Sequence, residues 1–285
     1  MTIHFPSFMA VLMAVGAASV WFSPRAGSLD SFFRGSGDRG EAPGVWTLML
    51  SQVTTWIFAR SLLNAGILGY LFGVPGALAY TAYYGSFLTG WLIVDRLRFH
   101  HGADNVHGFL KARFGVVGTT SYNLLVSLRL LTEVFANLLV VGMIFSTWSE
   151  TAGNVAIVAV VGITLAYSMS GGLQASLRTD VWQALMLVVV ILMLSVLVLT
   201  SNGFSPAAMA HAPGMDTGPG WVLLVVALLQ VISYPLHDPV MMDRGFLADR
   251  VTTRRSFLGA FAIAATLILL FGLVGVHAGL NAGDE

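Results

Sequence analysis

Long apolar windows separated by short polar connections dominate this chain. They fall at roughly 5–22, 45–72, 75–95, 116–147, 154–170, 181–200, 220–241 and 257–278. A helix needs about 20 apolar residues to cross a bilayer, and windows down to about 17 suffice. The pattern therefore predicts an all-α integral membrane protein, a polytopic bundle of about eight transmembrane helices forming one domain over residues 1–285. The second and third windows meet at Gly73-Val74-Pro75, a tight turn made by two helix breakers. The window 116–147 exceeds the membrane thickness and must tilt or extend beyond it.

Two connections have characters of their own. DNVHGFLKARFG (104–115) spaces Val106, Phe109, Leu110 and Phe114 as one face of a short amphipathic helix at the membrane surface. SNGFSPAAMAHAPGMDTGPG (201–220) is rich in Gly and Pro and reads as an irregular loop.

Composition agrees with this reading. Only 10% of residues are charged and 56% are hydrophobic, whereas soluble domains carry roughly 25% charged residues. Formal net charge is zero and there is no cysteine, so disulfides and thiolate metal sites are excluded. Twelve of the fourteen Lys and Arg residues lie in segments 23–43, 96–115, 171–180 and 242–256, and none lies in 73–74, 148–153, 201–219 or 279–285. By the positive-inside rule the first set is cytoplasmic. The first window lacks a preceding basic residue, since Arg25 follows it. It is a retained span with the N-terminus outside, not a signal peptide. The setting is a multi-pass protein of the cell membrane.

Candidate chemistry is sparse. There is no GxxxxGK[ST], HExxH or GxSxG motif, so neither an enzyme nor an organic cofactor is expected. No basic, aromatic-rich patch suggests nucleic acid. Protein partners cannot be read. The informative residues are the ionisable ones inside spans: Arg60, Arg129, Glu133 and Asp238. Such groups are expensive in a bilayer and mark pairs or polar paths. Arg129 and Glu133 are four apart on one helix face and can pair or gate a path. Arg60 has no acid within a helical turn. It either pairs across to Glu133 or Asp238, or faces an aqueous cavity and meets an anionic group of a solute. In QVISYPLHDPVMMDRG (230–245), Pro235 and Pro239 force a break flanked by Tyr234, His237 and Asp238. In SMSGGLQASLRTDVWQ (168–183), Gly171-Gly172 gives a reversal, and Thr179 or Asp180 can cap the helix that follows.

GGLQASLRTDVWQ resembles the signature of the sodium:solute symporter family through Gly171, Gly172, Leu173, Ala175, Thr179, Asp180 and Gln183. SLDSFFRGSG (28–37), HGFLKARFG (107–115) and MMDRGFLAD (241–249) resemble further family segments in the same order, with Asp243 where Gln is usual. The resemblance implies a LeuT-like fold: an extra N-terminal span and two inverted five-helix repeats whose first helices break at the midplane. Those helices would be spans two and seven. No Gly or Pro lies between Val45 and Asn64, so the first break is implied by the resemblance alone. By position, Thr54 and Ile57 would offer backbone carbonyls to sodium. Ser61, Tyr80 and Tyr83 fall near substrate contacts, and Tyr234 aligns with a residue that closes the site from inside. Arg60 and His237 join the substrate set, while Arg129, Glu133, Asp180 and Asp238 form the gating or ion-pair set. Trp56 stands where sugar and proline members often have Asn or Asp, and TTWIFARSLLNAGILGY looks more like urea-type and uncharacterised branches.

The implied function is sodium-coupled symport of a small polar organic solute by alternating access, with sodium as coupling ion and the lipid bilayer as surroundings. The alternative is a transporter-like sensory domain of a membrane signalling protein. The chain ends at HAGLNAGDE, two helices into the second repeat, so a fragment or truncated product lacking half of the sodium site is expected.

Overall fold

The computed structural model describes residues 5–37, 40–201, 203–212, 214–215 and 218–282. Arg39, parts of the 201–220 loop and the last residues of the 279–285 tail lie outside the described residues. Every regular element described is helical: α1 (Phe5–Phe22), α2 (Leu29–Arg34), α3 (Val45–Trp56), α4 (Ala59–Ala82), α5 (Ser86–Asp95), α6 (Val106–Ser146), α7 (Glu150–Leu199), α8 (Pro206–Ala210), α9 (Pro219–Ser233), α10 (Pro239–Arg244) and α11 (Arg250–Asn281).

Among the described residues, six continuous helical stretches are long and apolar enough to cross a membrane: Phe5–Phe22, Ala59–His100, Val106–Ser146, Glu150–Leu199, Pro219–His237 and Arg250–Asn281. Two of them contain a reversal. Gly73 takes φ 63° and ψ −152°, a conformation costly to a residue with a Cβ. A Cβ built on Gly272 of α11 would lie 2.8 Å from Ala77 and 3.6 Å from the Ala65 carbonyl, so both sides of Gly73 lie against one part of α11. Gly172 takes φ 53° and ψ −138°. Ile163 before it packs on Gly16 of α1, and Gln183 after it donates to Ser19 of α1 at 3.4 Å.

Helical structure resumes straight after Gly172, so the expectation that Thr179 or Asp180 starts a helix is corrected. Both lie inside α7, and the Thr179 hydroxyl bonds back to the Ala175 and Ser176 carbonyls. The amphipathic stretch forms the first turns of α6 and bends away at Gly115, φ 65°. The 201–220 loop holds the short helix α8. Caps fix the boundaries elsewhere. Ser28 and Ser31 cap α2 reciprocally, and Asp249 caps α11. Hydrogen bonds from the Thr252 side chain and amide, with that of the Val251 amide, hold the Asp249 carboxyl below the usual carboxylate range.

Small residues let α4 and α11 touch backbone to backbone. A Cβ on Gly69 would fall 2.1 Å from the Gly272 carbonyl oxygen, and one on Gly275 equally close to that of Gly66. Membrane helices associate through such close approach, because lipid supplies little hydrophobic drive between them. Next to this pair the central core gathers Met49, Val53, Trp56 and Ile57 of the first broken segment around Tyr84, Phe87, Met241 and Phe257. The broken segments are thus held by the most buried part of the bundle.

Candidate functional site

The predicted span 45–72 is broken. α3 ends at Trp56, and Ile57 (φ −101°, ψ 88°) and Phe58 (φ −108°, ψ −180°) run extended before α4 begins. Leaving the helix strands carbonyls that would have accepted from residues four further on. Side chains take one of them: Ser61 Oγ and Tyr84 Oη both donate to the Trp56 carbonyl, at 2.8 and 3.0 Å. The Arg60 amide turns to Asn137 Oδ1 at 3.2 Å. Among the described residues no hydrogen bond ends on the carbonyls of Thr54 or Ile57.

The second break follows from its prolines. Pro235 has no amide for the Val231 carbonyl, and Thr89 Oγ1 donates there instead at 2.5 Å. Pro239 has none for the Pro235 carbonyl, which accepts from the Asp238 amide at 3.3 Å. Tyr234–His237 winds as a tight 3-10 turn, and Asp238 caps α10 by accepting from the Met241 amide at 3.0 Å. Tyr122 Oη donates to the Leu236 carbonyl at 3.0 Å.

Between the two breaks lies a cavity of about 520 Å³. Arg60, Ser61, Tyr80, Tyr83, Tyr234 and His237, all named from the sequence as substrate contacts, line it together with Arg129 and Glu133. Aromatic rings form one wall: Tyr234 lies 4.8 Å from both Trp56 and Tyr83, centroid to centroid. Trp56 also lines the cavity, is only 6% exposed, and its indole N–H has no acceptor among the described residues. Thr54, Ile57, Asp180 and Asp238 do not line this cavity.

The pairing of Arg129 with Glu133 along one helix is corrected: each takes a partner from another element. Arg129 lies 3.5 Å from Asp238, donates to the His237 carbonyl at 3.0 Å and to the Tyr234 hydroxyl, and stacks over the Tyr234 ring at 4.6 Å. Those groups are fixed by the second break, and they outnumber what one carboxylate a turn away offers. Glu133 instead meets Arg60 at 4.0 Å, the limit of an ion pair, with the arginine side chain 46% exposed. The two arginines are therefore unlike. Arg129 is committed to several partners and Arg60 is loosely held.

Asp180 belongs to a separate buried network. Ser51 Oγ donates to its carboxylate at 2.5 Å, and Arg244 approaches it at 3.3 Å while donating to Ser51 Oγ at 2.8 Å. This joins α3, α7 and α10. Arg244, placed by its sequence in a polar connection, is 5% exposed. Arg244, Ser51, Asn64, Gln230, Tyr84 and Asn137 escaped the sequence reading. Asn64, one helical turn after Arg60, and Gln230, one turn before Tyr234, carried a usable signal in that spacing.

No curated protein matches the chain. Residues 39–244 match the Sodium:solute symporter family. That stretch is well over half the chain and contains both breaks, the cavity between them and the Asp180 network; the chain belongs to the sodium:solute symporter family.

Proposed function

We propose that the cavity between the two breaks binds a small polar organic solute and that sodium bound at the first break drives its transport by alternating access. Membership of the family implies sodium-coupled solute transport. In our reading the reversals at Gly73 and Gly172 raise the six continuous stretches to eight crossings, arranged as in the LeuT-like inverted repeat. The N-terminus lies outside the cell membrane and the arginine-bearing connections lie in the cytoplasm. Corresponding interruptions in two repeats are the strongest pointer to a transporter site.

The observation that carries this reading is the pair of unlike arginines in one cavity. A guanidinium and a carboxylate 4.0 Å apart can be parted by a polar solute. The solute's negative end then takes Arg60, and a donor group takes Glu133. Trp56 N–H offers one more donor to an acceptor on the solute. Charge balance favours a solute without net charge, because closing the cavity over a lone anion or cation would leave a buried charge uncompensated.

Sodium prefers oxygen ligands. The carbonyls of Thr54 and Ile57, on which no hydrogen bond ends among the described residues, fit that need without a carboxylate. Arg129, Tyr234 and Asp238 close the inner side of the cavity, so release requires their contacts to part.

The test is sodium-dependent solute binding to the full chain in nanodiscs, with urea, proline, lactate and glucose as probes. One uncharged or zwitterionic probe is expected to bind in NaCl but not in choline chloride. Arg60→Gln should weaken it by about tenfold, the scale of one charge-assisted hydrogen bond. Binding that ignores both sodium and Arg60→Gln would overturn the proposal.

A further inference from the structure

A second cavity, of about 720 Å³, lies between α5 and α11, away from the solute site. Its lining is short and chemically divided: Trp91 and Asp95 from α5, and Arg250, Val251, Arg254, Arg255 and Leu258 from α11. Three guanidiniums face one carboxylate. Asp95 is taken by Arg250, which grips it with two hydrogen bonds of 2.6 and 2.7 Å, and His100 also approaches it at 3.6 Å. The neighbouring Asp249 is spent on the amides of Val251 and Thr252.

Among the described residues Arg254 and Arg255 have no acid within 4.0 Å; both are exposed, and Arg254 is held with its guanidinium 5.2 Å from the Trp91 ring. The cavity therefore carries an excess of two positive charges.

Depth along the two helices is ordered. At about 1.5 Å per residue, Leu258 sits roughly 12 Å along α11 from Arg250, and Trp91 roughly 6 Å along α5 from Asp95. Both helices thus turn their Asp95–Arg250 pair toward one end of the cavity and Trp91 and Leu258 toward the other. Leu258, at the apolar end, is 36% exposed, and Val251, beside Arg250, is 56% exposed. α11 is apolar enough to span a membrane and carries no Asp, Glu, Lys or Arg after Arg255, so the arginines stand where hydrocarbon gives way to headgroups, and Trp91 is the residue type that favours that boundary.

We propose that this cavity is a binding site for an anionic phospholipid. Its headgroup phosphate rests between Arg254 and Arg255, and an acyl chain runs along Trp91 and Leu258. Arg250 is a positioning residue: its clamp on Asp95 holds the two helices at the spacing the headgroup needs. The site rests on the chain being embedded in a membrane, not on the transport reading.

The test is native mass spectrometry of the delipidated full chain titrated with dioleoyl phosphatidylglycerol or dioleoyl phosphatidylcholine. Selective binding of the phosphatidylglycerol is expected. The double variant Arg254→Gln/Arg255→Gln should weaken it by about thirtyfold, since each basic side chain at a membrane surface contributes about a factor of five. The control Lys111→Gln/Arg113→Gln, elsewhere among the basic connections, should change it by less than about twofold. Both arginines of the double variant are exposed, so its melting temperature should match that of the parent chain. Equal binding of the two lipids, or equal loss in the control, would overturn the proposal. Millimolar inorganic phosphate that binds and displaces the lipid would also overturn it, by making the occupant a soluble anion.

Discussion

The two breaks that frame the cavity look alike in outline and arise differently. At 234–239 the cause is local: two prolines withhold amides, and Thr89 and the Asp238 cap repair the ladder around them. At 57–58 the residues are Ile and Phe, which have no objection to a helix. That break persists because Ser61, Tyr84 and Asn137 take over groups the helix would have satisfied internally. Irregular backbone at membrane depth survives only where protein or a polar cavity meets its free groups. A break written by prolines should therefore survive the loss of the Thr89 hydroxyl, whereas a break written by side-chain hydroxyls should not survive the loss of both of them.

The largest effect is expected where the second break is tied to the bundle. Asp238→Ala leaves Arg129, which is largely buried, without its carboxylate. It should destabilise the fold by about 3 kcal/mol in unfolding measurements in mixed micelles. Next comes the pair that holds the first break. Ser61→Ala or Tyr84→Phe alone should each cost about 1 kcal/mol, because the other hydroxyl remains on the Trp56 carbonyl. The double variant should exceed the sum of the singles, since only then is that carbonyl orphaned. Strict additivity would mean that the two hydroxyls do not share the task.

Thr89→Val should cost about 1 kcal/mol by stranding the Val231 carbonyl. Pro235→Ala, which supplies the missing amide, should recover much of that loss. Pro235→Ala in the parent chain should be the mildest change, under about 1 kcal/mol, because Thr89 already serves the carbonyl. Its new amide should exchange rapidly with solvent if the Asp238 cap keeps the break open.

What the sequence disclosed follows the same division. Breakers act locally, so Gly73, Gly172 and the two prolines marked their bends in the one-dimensional pattern. The apolar windows announced membrane crossings because length and hydropathy need no partner to be read. The resemblance to the family placed Ser61, Tyr80, Tyr83 and Tyr234 near one site, charge inside a span pointed to Arg60 and the proline break to His237, and one cavity is lined by all six. Pairing was another matter. Arg129 and Glu133 share a helix face as their spacing requires, yet each finds a better partner across the bundle. Arg244 counts in the sequence only as one positive charge of the 242–256 connection, because nothing in its neighbours shows that α10 folds back to reach Ser51 of α3 and Asp180 of α7. Contacts between residues far apart in the chain decide both cases, and the periodicity of a single helix does not record them.

The central claim is that the carbonyls freed at Thr54 and Ile57 hold the coupling ion beside the solute cavity. Hydrogen–deuterium exchange over residues 54–62, compared in NaCl and in choline chloride at equal ionic strength, tests it directly. The account predicts that sodium slows exchange at the amides of Ile57 to Ser61, while residues 250–260, at the lipid cavity, are unchanged. Identical exchange in the two salts across 54–62 would contradict it.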